Sequence, residues 1–219
     1  MCGAGLSIAA VLPLRWWPPA TSAFMIEARV AAWGRGDFSF HLRHAWVDRS
    51  RIAPAAQLAV IASEDQKFPF HHGFDFGSIH DAVREQEDGV RSRGASTITQ
   101  QTAKNLFLWG GHSYVRKALE AWFTVLLELS WPKSRILEVY LNSAQFGPDV
   151  FGVEAAAQAY FHKHAAALSR PEAAQLAAVL PNPLKLHAEH PSAYVASRRE
   201  WILTQMRDLG DVSYLRNLH

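Results

Sequence analysis

The segment SEDQKFPFHHGFD, residues 63–75, places two carboxylates at the end of an apolar run, with aromatic residues directly behind them. These carboxylates are Glu64 and Asp65. Carboxylates at the end of a helix usually face solvent. They are slightly unfavourable there, because the C-terminus of a helix carries partial negative charge. A carboxylate held against the following phenylalanines would be partly desolvated, which suits a general base. The residues alone leave both interpretations of Glu64 open.

The segment RGASTITQQ, residues 93–101, has the pattern of a helix start. Thr97 and Gln100 have the spacing of a capping box. The free N–H groups at such a start can bind a phosphate, Ser96 would add a hydroxyl, and Lys104 follows on the same helix. A helix start without a ligand explains the pattern equally well, so both interpretations stay open.

The segment RKALE, residues 116–120, combines two cations with a carboxylate. On a helix Arg116 and Glu120 share a face at i,i+4, and Lys117 meets Glu120 at i,i+3. An exposed pair of this kind contributes only a few tenths of a kcal/mol, about 0.3. Turned towards a cleft, the same cluster would hold a diphosphate.

Apolar periodicity predicts a mainly α fold. The clearest amphipathic pattern lies at 113–130, where Ser113 is a candidate N-cap. The polar segment 87–96 contains two glycines and is predicted to be a loop that is poorly ordered without ligand. An extended piece is predicted at 44–48. The remaining helices are predicted at 54–64, 75–88, 97–109, 132–144, 152–161, 169–180 and 192–210.

Composition limits the classes of protein and partner. The 219 residues are 49% hydrophobic, which suits one domain with a core of its own. Twenty-two basic against 20 acidic residues give a net charge of +2, so bulk charge gives no case for a nucleic-acid partner. The single cysteine, Cys2, excludes a disulfide framework, and the histidines lack the spacing of a zinc site.

The N-terminus is apolar but short. Its first fourteen residues are interrupted by Pro13 and fall below the roughly 18–20 residues that span a bilayer. Trp16 and Trp17, after Arg15, fit an interfacial aromatic belt. A core-packed segment and the remnant of a membrane anchor both explain the pattern. We therefore divide the chain into a stub, 1–16, and a single domain, 17–219.

In their order along the chain, these motifs resemble those of the family 51 glycosyltransferases, the peptidoglycan glycosyltransferases. The resemblance covers about residues 17–207 and is strongest to monofunctional members, since no transpeptidase domain follows. It is carried by EDQKFPFHHGFD, GASTITQQTAKNLFL, RKALE, KSRILEVYLN, FGVEAAAQAYF and EAAQLAAVLPNP.

The resemblance implies a lysozyme-like head lobe with a smaller, membrane-proximal jaw lobe. It implies polymerisation of lipid II into β(1→4) glycan strands, with inversion and release of polyprenyl diphosphate. The expected partners are lipid II, the growing glycan chain, the membrane surface and proteins of a cell-wall synthesis complex. The expected location is the periplasmic face of the bacterial inner membrane.

The resemblance also implies roles for individual residues. Glu64 corresponds to the general base, and Glu120 to a second catalytic carboxylate that holds the cations or polarises the donor. The substrate-binding positions are Ser96, Lys104, Arg116, Lys117, Gln100 and Asp65. No cofactor is certain, and a divalent cation, Mg²⁺ or Mn²⁺, at the diphosphate stays open. His112 stands where many relatives carry an arginine, so diphosphate binding is expected to be weaker or dependent on pH.

Two other functions fit parts of the pattern. A lysozyme-like lytic transglycosylase, which cleaves glycan strands, needs one acidic glutamate and no cations for a diphosphate. A non-catalytic glycan-binding or scaffold protein would tolerate the loss of Glu64. The set of four diphosphate-binding positions argues against the first function, and the presence of Glu64 argues against the second.

Overall fold

The computed structural model describes residues 2–78, 80, 84, 96–111 and 113–218, and the fold is mainly α as predicted. Short 3-10 turns and one pair of two-residue strands connect the helices. The helices of the described residues are α1 (Cys2–Val11), α2 (Ala23–Gly34), α3 (Pro54–Glu64), α4 (Ile98–Phe107), α5 (Tyr114–Ser130), α6 (Lys133–Ser143), α7 (Val153–Phe161), α8 (Arg170–Val179) and α9 (Ala193–Asp208).

The helices predicted at 54–64 and from residue 97 onwards are confirmed to within a few residues at each end. Helices α1 and α2 were not predicted. The predicted capping box at Thr97 is present, and so is that at Ser169. Ser113 occupies the N-cap of α5, but its side chain makes no capping hydrogen bond.

Three predicted features fall wholly or largely outside the described residues. These are the helix at 75–88, the loop at 87–96 and the substitution at His112. Of the predicted helix, the described residues 76–78, 80 and 84 are helical. The order of the loop and the effect of His112 therefore stay predictions, as does the division into head and jaw lobes.

The core is built around α3, which is buried along nearly its whole length. Leu58, Ala59, Ile61 and Ala62 have no exposed surface. Helices α8 and α9 pack against α3, and four of the six buried residues of α8 are alanines. Small side chains let the helix axes approach closely. The core thus fixes the C-terminal end of α3, where Glu64 lies.

A buried asparagine joins the second half of the fold to the first. Asn142, in α6, accepts a hydrogen bond from the backbone N–H of Val47 and donates to the carbonyl oxygens of Val47 and Glu138. Nearby, β1 (Arg43–His44) pairs in parallel with β2 (Val150–Phe151). Of the extended piece predicted at 44–48, only His44 belongs to this ladder, and the strand begins one residue earlier, at Arg43.

Gly152 follows this strand pair at a point where only glycine fits. Its φ is +83°, and a Cβ there would lie 2.7 Å from the carbonyl oxygen of Asn142. A side chain would have to displace backbone atoms and adopt a left-handed conformation.

Helix α5 is amphipathic, as predicted, but its polar side faces inwards. Its buried residues are Arg116, Glu120, Thr124 and Leu127. Its apolar stripe is exposed, up to 81% at Leu129. A water-exposed helix normally shows the opposite arrangement. The exposed stripe consists of Val115, Leu119, Trp122, Val125 and Leu129. The helical spacing of Trp122 predicts a packed core position, but its side chain is 41% exposed, so this prediction is wrong.

Helix α1 lies alongside α5 and extends this apolar surface. The indole N–H of Trp122 donates to the hydroxyl of Ser7, and that of Trp131 to the carbonyl of Val11. Leu6 and Ile8 remain exposed. We call the exposed stripe of α5 together with these two residues the outer apolar face. Among the described residues, no helix has the length and hydropathy needed to cross a bilayer.

We expect Asn142→Ala to lower the free energy of unfolding by about 3 kcal/mol, because it leaves the buried N–H and carbonyl groups of Val47 without partners. Urea denaturation measures this loss. Asn182→Ala removes an exposed asparagine and should change stability by about 0.5 kcal/mol or less. Equal effects of the two substitutions would contradict the proposed bridging role of Asn142.

Candidate active site

Glu64 is the last residue of α3, and its carboxylate is held at the edge of the core by two hydrogen bonds and one arginine. Its side chain is 12% exposed. Oε1 accepts a hydrogen bond of 2.9 Å from the hydroxyl of Ser63, and Oε2 accepts one of 3.0 Å from Nε2 of Gln101. Nη2 of Arg198 lies 3.6 Å from Oε1. The carboxylate is thus restrained and does not extend into bulk water.

A buried tyrosine orients the amide of Gln101. The Tyr140 hydroxyl donates to Oε1 of Gln101 at 2.9 Å, which leaves the amide nitrogen to face Glu64. Burial raises the pKa of Tyr140 well above its ordinary value, and Glu64 and Asp65 raise it further. Tyr140 therefore remains a donor at neutral pH, and the chain of hydrogen bonds runs from Tyr140 through Gln101 to Glu64.

Asp65 connects the end of α3 to the beginning of α4. Its Oδ2 accepts from the backbone N–H of Ile98 at 2.9 Å, and Nε2 of His71 lies 2.9 Å from Oδ1. Only 7% of Asp65 is exposed. A carboxylate at a helix N-terminus is favoured by the helix dipole. Asp65 thereby positions α4 relative to Glu64, while its predicted role as a substrate ligand stays a prediction.

The glycine of the first motif allows close packing against α5. Gly73 has a φ of +84°, and a Cβ there would lie 2.7 Å from Cγ2 of Thr124. Its carbonyl accepts a hydrogen bond from the hydroxyl of Thr97. The segment after Glu64 therefore contacts both the start of α4 and the buried side of α5.

The start of α4 is fixed by its capping box. The Thr97 hydroxyl accepts from the N–H of Gln100, and the Gln100 side chain accepts from the N–H of Thr97. Gln100 is 5% exposed, so its amide oxygen serves this cap. Ser96 is partly exposed, directly before the cap. The roles of Gln100 and Ser96 in substrate binding stay predictions.

The basic and acidic residues of α5 form a buried ion pair with an exposed partner. Nη1 of Arg116 donates to Oε2 of Glu120 at 2.7 Å, and Nζ of Lys117 donates to Oε1. Glu120 is 2% and Arg116 7% exposed, whereas more than half of the Lys117 side chain is exposed. Nε of Arg116 has no partner among the described residues. The cluster thus presents one accessible cation and a guanidinium with a spare donor.

Lys104 connects this cluster electrostatically to Glu64. Its pKa is lowered from the ordinary lysine value, chiefly by burial; Arg116 and Lys117 lower it further, and Glu120 and Glu64 oppose the shift. Since such interactions fall off with distance, all four groups lie within electrostatic range of Lys104. Among the described residues, no carboxylate makes an ion pair with Lys104, so its charge is available to a ligand.

A pocket of about 210 Å³ lies beside Lys104 and Gln101, which face it from α4. Nζ of Lys104 lies 5.5 Å from the centre of the Phe24 ring, on the unpredicted α2. The rest of the lining is Asn105, Tyr140, Ala144, Gln145 and residues 180–184. Gln101 thus joins the restrained carboxylate of Glu64 to a pocket that Lys104 lines, which suits proton abstraction beside an anionic leaving group.

Two residues that contact the base, Ser63 and Arg198, were not predicted to do so. Arg198 lies on α9, 135 residues away from Ser63, to which it donates a hydrogen bond of 3.1 Å. The adjacent arginines of RREW, residues 198–201, were a visible signal, but only tertiary packing shows which of them reaches Glu64. Ser63 was quoted as part of the first motif without a role.

Comparison with known proteins identifies the family of this chain. Residues 35–207 match the family described as Transglycosylase. The chain belongs to this transglycosylase family. A relative from Pseudomonas entomophila, named biosynthetic peptidoglycan transglycosylase, is 55% identical over 97% of this chain and 89% of its own length. One of the same name from Xanthomonas axonopodis pv. citri is 52% identical over 97% of this chain and 87% of its own length.

In this transglycosylase we expect Glu120→Ala to lower the free energy of unfolding by about 3 kcal/mol or more, since Arg116 would be left buried and unpaired. Chemical denaturation followed by circular dichroism measures the loss. Lys117→Ala removes the exposed partner and should cost about 1 kcal/mol or less. The account of the buried pair fails if Glu120→Ala is no more destabilising than Lys117→Ala.

Proposed function

We propose that this transglycosylase is a peptidoglycan glycosyltransferase that polymerises lipid II into β(1→4) glycan strands. Family membership and the names of the relatives support the activity. The single observation that carries the mechanism is that Gln101, which holds the carboxylate of Glu64, lines the same pocket as Lys104. The cations Arg116 and Lys117 lie within electrostatic range of Lys104. These cations have no evident task in a lytic enzyme that only cleaves glycan strands.

In the proposed step Glu64 acts as the general base. Its carboxylate takes the proton of the acceptor 4-hydroxyl while the acceptor oxygen forms a bond to C1 of the donor sugar. The bond between C1 and the diphosphate oxygen breaks, and the diphosphate leaves with the electron pair. Attack opposite the leaving group inverts the α-linked donor into a β product. Glu64 then releases its proton to solvent.

The leaving diphosphate requires charge neutralisation more than protonation. Lys104 and Lys117 supply positive charge, and Arg116 adds its own charge from its buried position against Glu120. Such fixed charges stabilise an anion that develops in the transition state, because they need no reorganisation during the step. Glu120 holds Arg116 and Lys117 in place through its two oxygens. Ser96, at the start of α4, would donate to a phosphate oxygen.

The residues of this site do not fit a protein-held divalent cation. Among the described residues, no group of three or more histidine, cysteine or acidic side chains could hold a metal ion. Both oxygens of Glu120 already accept hydrogen bonds from cations. Mg²⁺ or Mn²⁺ would therefore depend on the oxygens of the substrate diphosphate, and no step of this mechanism runs through it.

The lipid-linked substrate requires action in the cell envelope, and we place the enzyme at the periplasmic face of the inner membrane. The outer apolar face supports this location, because large apolar surfaces on a protein mark interaction sites. An apolar groove lined by Ile8, Val11, Leu12, Leu126 and Leu129 joins α1 to α5 within it. Arg15, Trp16 and Trp17 continue it with the residue types of a membrane interface.

We expect Glu64→Gln to reduce polymerisation of lipid II in detergent by about 100-fold or more, because the amide cannot accept the proton. The assay measures release of undecaprenyl diphosphate and the length of glycan strands. Glu200→Gln, at an exposed position of α9, is the matched control and should retain the parent rate. An active Glu64→Gln with an unchanged melting temperature would show that another group is the base.

We expect the double substitution Val115→Ser and Leu129→Ser to weaken binding to lipid vesicles by about tenfold or more, since two side chains of the outer apolar face lose their transfer energy. Co-sedimentation with phosphatidylethanolamine and phosphatidylglycerol vesicles measures the change. Val212→Ser, exposed in the C-terminal 3-10 turn, should bind like the parent. Equal vesicle binding by the double variant and by Val212→Ser would rule out this face as the membrane contact.

A further inference from the structure

Arg198 and Ser63 form a hydrogen-bonded path from α9 to the base. Nη2 of Arg198 lies 3.1 Å from Oγ of Ser63, which lies 2.9 Å from Oε1 of Glu64. The Arg198 side chain is 22% exposed, and its guanidinium carbon lies 5.8 Å from the centre of the Trp201 ring. Its Nε is buried without a partner among the described residues. The arginine thus makes no carboxylate contact shorter than the 3.6 Å to Glu64.

The chemistry of the three groups fixes the direction of each proton. Arginine can only donate, so the Ser63 oxygen must accept from it. A hydroxyl has a single proton, which is then left for Oε1 of Glu64. The carbonyl of Ala177 is a more distant acceptor, 3.5 Å from Oγ, against 2.9 Å for Oε1 of Glu64. The guanidinium therefore restrains the Ser63 oxygen while the hydroxyl donates its proton to the base.

The second oxygen of Glu64 is restrained independently by Gln101. Two donors on different oxygens fix the plane of a carboxylate, whereas one donor leaves it free to rotate. General-base catalysis depends on this geometry, since a misplacement of about 1 Å can cost roughly 100-fold in rate. The remaining lone pairs of Glu64 are then directed at a constant position, where the acceptor hydroxyl must lie.

We propose that Arg198, acting through the Ser63 hydroxyl, is a positioning residue that holds Glu64 in its reactive orientation. The inference rests on the proposed function of Glu64 as the base. Neither residue forms or breaks a bond in the proposed step, so their removal should lower kcat while leaving the KM for lipid II nearly unchanged. A residue that only stabilised the fold would lower the amount of active enzyme and the melting temperature together.

The test compares Ser63→Ala, Arg198→Met and the double variant in the lipid II polymerisation assay. Each single substitution should lower kcat by about tenfold, which is less than full misplacement of the base would cause. Because the two residues act in series, the double variant should be no slower than the slower single variant. Additive losses, or a loss confined to KM, would overturn the proposal.

Two further variants separate positioning from folding. Arg198→Lys keeps a donor for Ser63 and should recover most of the rate that Arg198→Met loses. Arg199→Met alters the neighbouring arginine, which contacts Glu200 and Gln175, and should leave kcat within about twofold of the parent. If Arg198→Met does not fold, Ser63→Ala still decides the matter: a kcat equal to the parent would overturn the proposal.

The parent enzyme and Glu64→Gln are assayed alongside, so that a failure of the proposed function can be distinguished from a failure of the positioning role. An inactive parent or an active Glu64→Gln would overturn the proposed function and this inference with it. An active parent with an inactive Glu64→Gln, but normal kcat in Ser63→Ala and Arg198→Met, would overturn the positioning role alone.

Discussion

The cost of burying charge explains the orientation of α5, on which much of the structure depends. Arg116 and Glu120 are both removed from water, and each is tolerable there only because the other is present. Their pairing lets the helix turn its charged side inwards and its apolar stripe outwards. The same rotation places the cation cluster inside and the outer apolar face outside. The proposed diphosphate site and the proposed membrane surface therefore share one structural cause.

A second constraint acts at the junction between α3 and α4. Glu64 and Asp65 are neighbours, yet their carboxylates have separate environments. Asp65 is buried and accepts a hydrogen bond from the N–H of Ile98 at the start of α4. Glu64 remains at the edge of the core and accepts a hydrogen bond on each of its oxygens. Since the cap ties α4 to the end of α3, Gln101 is held within hydrogen-bond distance of Glu64. One carboxylate builds the scaffold that restrains the other.

Much of the fold was predictable because local patterns agree with it. The capping residues Thr97 and Ser169 begin helices where the sequence indicates. Helix α2 was missed, although Ser22 accepts a capping hydrogen bond at its start and Phe24 contributes to the pocket. The direction of the apolar stripe of α5 was not predictable, since periodicity defines a stripe without stating whether core, solvent or membrane covers it.

The sequence by itself determined the mainly α class, the helix boundaries at 54–64 and from residue 97 onwards, and the set of motif residues, because capping, periodicity and residue order are local properties of the chain. Only the tertiary structure decided that Glu64 and Glu120 both influence the pKa of Lys104 and that α5 buries its charges. It also decided that Arg198 contacts Ser63, which lies 135 residues away in sequence. These relations depend on helix packing between residues distant in sequence, and spacing along one chain carries no information about which faces meet.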